Sequence, residues 1–136
     1  MAANDRIRLE IVTPEKEVFH EMVERFSVPA EAGSTGVLYN HAPLLSVLQP
    51  GVLTYVSNGA EGRLAVGRGF LELHDNEAEI LVAFAERAAD IDVARAEAAK
   101  ERAERRLRER SANIDVVRAE AALHRAIARL RASGKY

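Results

Sequence analysis

Three arginines, Arg95, Arg125 and Arg129, have the chemistry to hold a polyphosphate or a cluster of carboxylates. Arg125 and Arg129 stand four residues apart, so on a helix their side chains share a face. A planar guanidinium offers paired donors that match phosphate or carboxylate oxygens, and several together supply both charge and direction. The alternative for the same residues is a solvated helix surface. Little else in the chain suggests catalysis. His20, His41, His74 and His124 lie far apart and show no metal-ligand spacing. There is no Walker-type glycine loop, dinucleotide glycine fingerprint, His-Glu-x-x-His or nucleophile elbow. The absence of Cys removes disulfides and thiolate chemistry.

The elements that must position these arginines are helical. Ile91-Asp92-Val93-Ala94-Arg95-Ala96-Glu97-Ala98-Ala99 returns as Ile114-Asp115-Val116-Val117-Arg118-Ala119-Glu120-Ala121-Ala122, with eight of nine positions identical at an offset of 23. No Pro follows Pro50, and no Gly lies between Gly69 and Gly134. Nothing therefore interrupts helix from Glu86 to Arg131. Asp90 and Asn113 are candidate helix caps, and Ser111-Ala112-Asn113 is a candidate turn. The expectation is an antiparallel pair of helices of about 20 residues, roughly 30 Å each. Turning near 111–113, the hairpin carries Arg95 toward the same open end as Arg125 and Arg129.

The hairpin should be weakly seated. Val116, Ala119, Leu123, Ile127 and Leu130 form one apolar stripe. The first helix answers mainly with Ala94, Ala98, Ala99, Ala103 and Leu107. A buried methyl group contributes only about 0.8 kcal/mol, while alanine favours the helix itself. The helices should survive while their docking stays negotiable, which describes a movable arm; an ordinary packed hairpin is the alternative.

Charge divides the chain the same way. Residues 1–85 carry 6 Lys/Arg and 12 Asp/Glu, a net of −6; residues 86–136 carry 13 and 9, a net of +4, and together they give the overall −2. A basic arm on an acidic body suits an acidic partner surface, or the body itself. The acidic body and the scarcity of aromatic residues disfavour a nucleic-acid binder. No apolar run is long enough to span a membrane or to act as a secretory signal, so a soluble intracellular protein is expected.

The first 85 residues read as short strands. Ile7, Leu9 and Ile11 alternate with Arg6, Arg8 and Glu10. Further strands are expected at Glu17–Val23, Arg25–Val28, Leu44–Leu48, Val52–Ser57, Arg63–Val66, Phe70–His74 and Glu79–Phe84. Asn58-Gly59-Ala60-Glu61-Gly62 should be a five-residue hairpin loop, and Asp75-Asn76 a second turn. The stretch from Gly33 through Leu45 reads as a long glycine-bounded loop, either a binding surface or a set of positive-φ turns. The fold class is α+β: an antiparallel β-sandwich of about ten strands over residues 1–86, then an antiparallel two-helix hairpin over 87–136.

Gly33, Gly36, Leu38, His41, Ala42, Pro43, Leu44 and Leu45 together resemble the Gly-x-x-Gly-x-Leu-x-x-His-Ala-Pro-Leu-Leu signature of the epsilon subunit of bacterial F-type ATP synthases. Gly67, Gly69, Phe70, Leu71 and Glu72 resemble that family's strand leading into the last hairpin. The resemblance implies a non-catalytic central-stalk subunit at the cytoplasmic face of the bacterial inner membrane, peripheral and attached only through the complex. It implies that the sandwich docks on the gamma subunit and the c-ring, through Gly33, Ser34, Gly36, His41 and Pro43. The position after Gly33 is often acidic in the family; here it is Ser34. The hairpin would either fold on the sandwich or extend along gamma into the alpha/beta catalytic hexamer and impede hydrolysis. No cofactor is required, but ATP is implied as a regulatory ligand. Ile91-Asp92-Val93-Ala94-Arg95-Ala96 matches the family's Ile/Leu-Asp-x-x-Arg-Ala pattern, with Arg125 and Arg129 at the matching second-helix positions. Arg95, Arg125 and Arg129 would then meet the phosphates, and Glu86 and Asp92, with Ala96, the adenosine end. Two other classes compete: a β-domain adaptor with a helical arm for an unrelated partner, and a small β-sandwich hydrolase.

Overall fold

The computed structural model describes residues 4–109 and 115–135. Ten strands come first: β1 Ile7–Val12, β2 Glu17–Val23, β3 Arg25–Ala30, β4 Gly33–Leu38, β5 Leu44–Leu48, β6 Gly51–Ser57, β7 Ala60–Val66, β8 Gly69–His74, β9 Glu77–Val82 and β10 Ala85–Arg87. A 3₁₀ turn, Ala88–Asp90, leads to α1 Val93–Glu109 and α2 Val116–Ser133.

The strands make two halves. One has the order β2-β1-β9-β8-β5, the other β10-β7-β6-β3 with β4 on β3, and a single pairing, Ala30 with Leu48, bridges them. All pairs are antiparallel except β1 with β9, which runs parallel. Alternation fills the space between the halves: Ile7, Leu9, Ile11, Val28, Leu53, Leu64, Leu71 and Ile80 are all completely buried. Burying each such side chain favours folding by about 1.5–3 kcal/mol, set against the entropy of ordering it.

Three expectations about the strands and their ends change. Gly33–Leu38 is a strand, not a loop, because six successive residues pair with β3, from Ala30↔Gly33 to Arg25↔Leu38. The β6–β7 connection is a two-residue turn, not five: Ser57 pairs with Ala60, and Asn58 and Gly59 take φ of 52° and 79°. Positive φ at both positions gives the turn whose twist matches a hairpin. Ala85–Arg87 begins no helix; it joins the edge of β7.

The two helices start alike. Arg95 N donates to Asp92 Oδ1, and Arg118 N to Asp115 Oδ1, each at 3.0 Å. The internal repeat is thus a repeat of the helix start, with aspartate accepting from the third helical amide. The first cap is therefore Asp92, not Asp90, which lies in the 3₁₀ turn. Asn113 and the turn at Ser111-Ala112-Asn113 fall outside the described residues.

Between the helices the buried side chains are Ala96 and Ala103 from α1 and Ala119 and Ala126 from α2. Ala94 and Ala98, expected in this seam, are exposed. Val116, expected in the stripe of α2, is 40% exposed. Leu123 and Ile127 are half-buried and Leu130 is buried.

Candidate functional site

The arm is seated on the outer face of the β10-β7-β6 half. Glu86 pairs with Ala65, and Ala65 with Val52, so these three form one row across β10, β7 and β6. Arg63 stands two residues from Ala65 and therefore on the same face of β7. Against this row α2 places Ala128, Arg129 and Ala132. Ala65, Ala128 and Ala132 are at most 2% exposed and form a small cluster with Ile91, flanked by Val52 and Phe84. The apolar seat is thus made largely of methyl groups.

Two arginines complete it. Arg129 Nε donates to Glu86 Oε1 at 2.6 Å, and its guanidinium carbon lies 4.5 Å from the centre of the Phe84 ring. Arg63 Nε donates to the Ala132 carbonyl at 2.9 Å. Of the expected ligand-binding residues, Glu86 and Arg129 are therefore brought together, as partners of each other.

The others are placed differently. Arg125 is exposed and lines a cleft of about 320 Å³ between α2 and the sandwich, with Phe84, Arg68, His124, Glu120 and Val117. Three nitrogenous side chains, one carboxylate and an aromatic ring suit an anion carrying an apolar ring. Arg95 is exposed on α1, and its contact with Asp92 is through its backbone amide. Asp92 spends its carboxylate on the helix cap, and Ala96 is buried at 3% exposure in the hairpin seam. Arg63, Arg68, Phe84 and His124 were missed in the sequence because their neighbourhood is set by the seating of α2.

The signature residues fall at two places. Gly33, Ser34 and Gly36 are exposed on β4. His41 and Pro43 follow the opposite end of that strand, five residue steps or about 17 Å from Gly33 to Leu38. His41 Nδ1 lies 2.6 Å from the Ala42 carbonyl, so its Nδ1–H donates there. Asn40 and Asn76 tie this loop to the β8–β9 turn: Asn40 N donates to Asn76 Oδ1 at 2.7 Å, and Asn76 Nδ2 to Asn40 Oδ1 at 3.0 Å.

A further surface was not anticipated. The arm covers the outer face of one half, and the outer face of the other half is bare. On it Met22, Leu45, Val47, Phe70 and Leu81 are 46–74% exposed. Val47, Phe70 and Leu81 are neighbours in register, and beside them Glu72, Glu79 and Glu10 form a carboxylate row. Large apolar side chains gathered on one face mark an interaction surface. A signal was present: Leu44-Leu45, Phe70-Leu71 and Ile80-Leu81-Val82 are apolar on both faces of their strands, as covered strands are.

Comparison with known proteins accords with this architecture. Residues 6–88 match the family model described as ATP synthase, Delta/Epsilon chain, beta-sandwich domain. Residues 89–134 match the one described as ATP synthase, Delta/Epsilon chain, long alpha-helix domain. The chain is 49% identical over 100 residues to the ATP synthase epsilon chain of Pelotomaculum thermopropionicum, covering 74% of this chain and 75% of that one. It is 46% identical over 106 residues to that of Syntrophomonas wolfei, 77% of each chain. In fold it is similar to a chain of the Euglena gracilis mitochondrial ATP synthase, with a TM-score of 0.82 at 21% identity over 98% of this chain and 84% of that one. With both of its parts matched in order, and close relatives across three quarters of its length, the chain belongs to the ATP synthase delta/epsilon chain family.

Proposed function

We propose that this chain is the epsilon subunit of a bacterial F-type ATP synthase, a non-catalytic part of the central stalk that couples c-ring rotation to gamma and restrains ATP hydrolysis through its arm. The observation that carries the regulatory part is the composition of the arm's seat. Three buried alanine methyls and two half-exposed arginine contacts hold α2 to the sandwich. At about 0.8 kcal/mol per buried methyl, these three alanines contribute about 2–3 kcal/mol, with Ile91, Val52 and Phe84 packed beside them. A gap of a few kcal/mol keeps a second state populated at about 0.1–10%, which a partner can capture. The basic, exposed side of α1 gives an acidic partner something to hold.

The bare outer face, with its apolar patch beside a carboxylate row, serves as the docking surface for gamma, and the β3–β4 end with Ser34 faces the c-ring. The extended arm reaches the alpha/beta hexamer. Attachment to the cytoplasmic face of the membrane is through the complex; among the described residues no helix is long and apolar enough to cross a membrane.

ATP is the ligand proposed for the folded arm. Arg95, Arg125 and Arg129 would hold phosphates, with Glu86 and Asp92 toward the adenosine, and the bound nucleotide would favour the seated, non-inhibitory position. The cleft that Arg125 lines together with Arg68, His124 and Phe84 supports this, while Asp92 contributes chiefly by fixing the start of α1. Calorimetry of the chain with millimolar ATP checks it; absence of binding removes the nucleotide from the account.

The decisive assay is ATP hydrolysis by an epsilon-depleted ATPase core, given either the full chain or a truncation after Asp90 that keeps β10. The expected result is inhibition by the full chain and binding without inhibition by the truncation. Binding of both without inhibition leaves a coupling subunit with no brake. Failure of both to bind overturns the central-stalk assignment.

A further inference from the structure

The end of α2 is capped from two sides. Gly134, at φ 83°, donates its N–H to the Arg131 carbonyl, and Lys135 N donates to that of Leu130, each at 3.1 Å. This is the paired closure that a left-handed residue gives a helix C-terminus. It occupies the Leu130 and Arg131 carbonyls and leaves that of Ala132, the next in line, without a backbone partner in the cap. Ala132 is completely buried, so an unpaired carbonyl there would be costly. Its partner comes from the other part of the molecule: Arg63 Nε, on β7, at 2.9 Å and 69 residues away in sequence. A Cβ on Gly134 would lie 3.2 Å from Arg63 Nη2, so the last turn packs directly on this guanidinium.

We propose that Arg63 is a catch that holds the arm in its folded position by capping its final turn from the sandwich. The inference rests on the reading of the hairpin as a movable arm. With the arm seated, the Ala132 carbonyl is satisfied by protein; with it lifted, that carbonyl must be hydrated and the last turn of α2 loses a cap. The catch complements Arg129, one turn earlier, which reaches from arm to body and pairs with a carboxylate. Arg63 reaches from body to arm and meets a neutral carbonyl. Added salt therefore weakens the Arg129 contact while leaving the Arg63 contact nearly untouched. The two contacts thus hold the arm with different sensitivities to salt.

Amide hydrogen exchange on the full-length chain tests this with Arg63→Met, which keeps the aliphatic stem and removes the donor. The expected result is exchange about tenfold faster in the last two turns of α2, with β1, β8 and β9 unchanged. The same ratio should hold in about 1 M salt, where the Debye length is about 3 Å. Exchange in α2 equal to the parent's, or acceleration shared equally by the sandwich strands, overturns the catch. If Arg63→Met does not fold, Arg63→Gln, whose amide stops short of the carbonyl, is read by the same criteria. The outcome is separate from the ATPase assay: a chain that inhibits the core yet ignores both substitutions refutes only the catch. A chain that fails to bind the core refutes only the stalk assignment.

Discussion

Arg129 and Glu86 join the arm to the sandwich through a 2.6 Å contact in which neither side chain is fully buried, at 28% and 34% exposure. The pair therefore lies between a surface ion pair and a buried one. After solvent screening it contributes on the order of 1 kcal/mol, and the Phe84 ring beneath the guanidinium adds about 0.5–1 kcal/mol. Arg129→Ala should loosen the arm by about 1–2 kcal/mol. Glu86→Gln should loosen it by less than about 1 kcal/mol, because a neutral acceptor remains. Amide exchange in α2 at low and high salt reads both, and the Glu86→Gln effect should vanish at high salt.

Enlarging the methyl seat should unseat the arm. Ala65→Leu inserts a branched side chain where Ala128 and Ala132 pack, at a cost of about 1–3 kcal/mol. Because Ala65 faces the arm and not the sandwich core, the strands should keep their thermal stability while a distance probe between Val117→Cys and a cysteine at Glu31 lengthens. The chain has no natural Cys, so the two labels are unambiguous.

The duplicated helix starts should behave as equivalent parts. Asp92→Ala and Asp115→Ala each remove a cap accepting at 3.0 Å, and each should cost its helix about 1 kcal/mol. Circular dichroism should show partial loss of helix for either, and Asn at either position should retain it. An equal loss with Asn would show that the cap is not the role of these carboxylates.

On the bare face the expectation is reversed. Phe70→Asp changes a side chain that is 54% exposed, so stability should move by no more than about 0.5 kcal/mol. Binding to an epsilon-depleted ATPase core should weaken by about tenfold or more, as loss of an interface aromatic does. Unchanged binding would remove this face from the docking surface.

The parts legible in the sequence were those where one periodicity acts alone. Ile7, Leu9 and Ile11 alternate cleanly, and all three are buried. The parts that were not legible had composition pointing the wrong way. Gly33-Ser34-Thr35-Gly36 has the residues of a turn, yet pairing along β3 makes it a strand. Ala85-Glu86-Arg87 has the residues of a helix, but the open edge of β7 captures it. In α1 the phase of the buried stripe was misjudged because alanine occurs on every side: Ala94 and Ala98 are exposed while Ala96 is buried. Of the ligand residues, the Glu86–Arg129 contact could be suspected from charge, whereas the Arg63 contact, a side chain on a distant carbonyl, leaves no trace in residue types.

The parallel pairing of β1 with β9 has a consequence for how the chain reaches this state. Arg8 lies beside Glu77, and their side chains meet at 2.7 Å. The first strand pairs locally with β2, but its other edge waits for the ninth, and closing a loop of that length precedes any gain from that pairing. Helix formation in the arm, by contrast, is local and fast. The rate-limiting event in folding is therefore expected to be sandwich closure, with ready-made helices settling afterwards onto a finished surface.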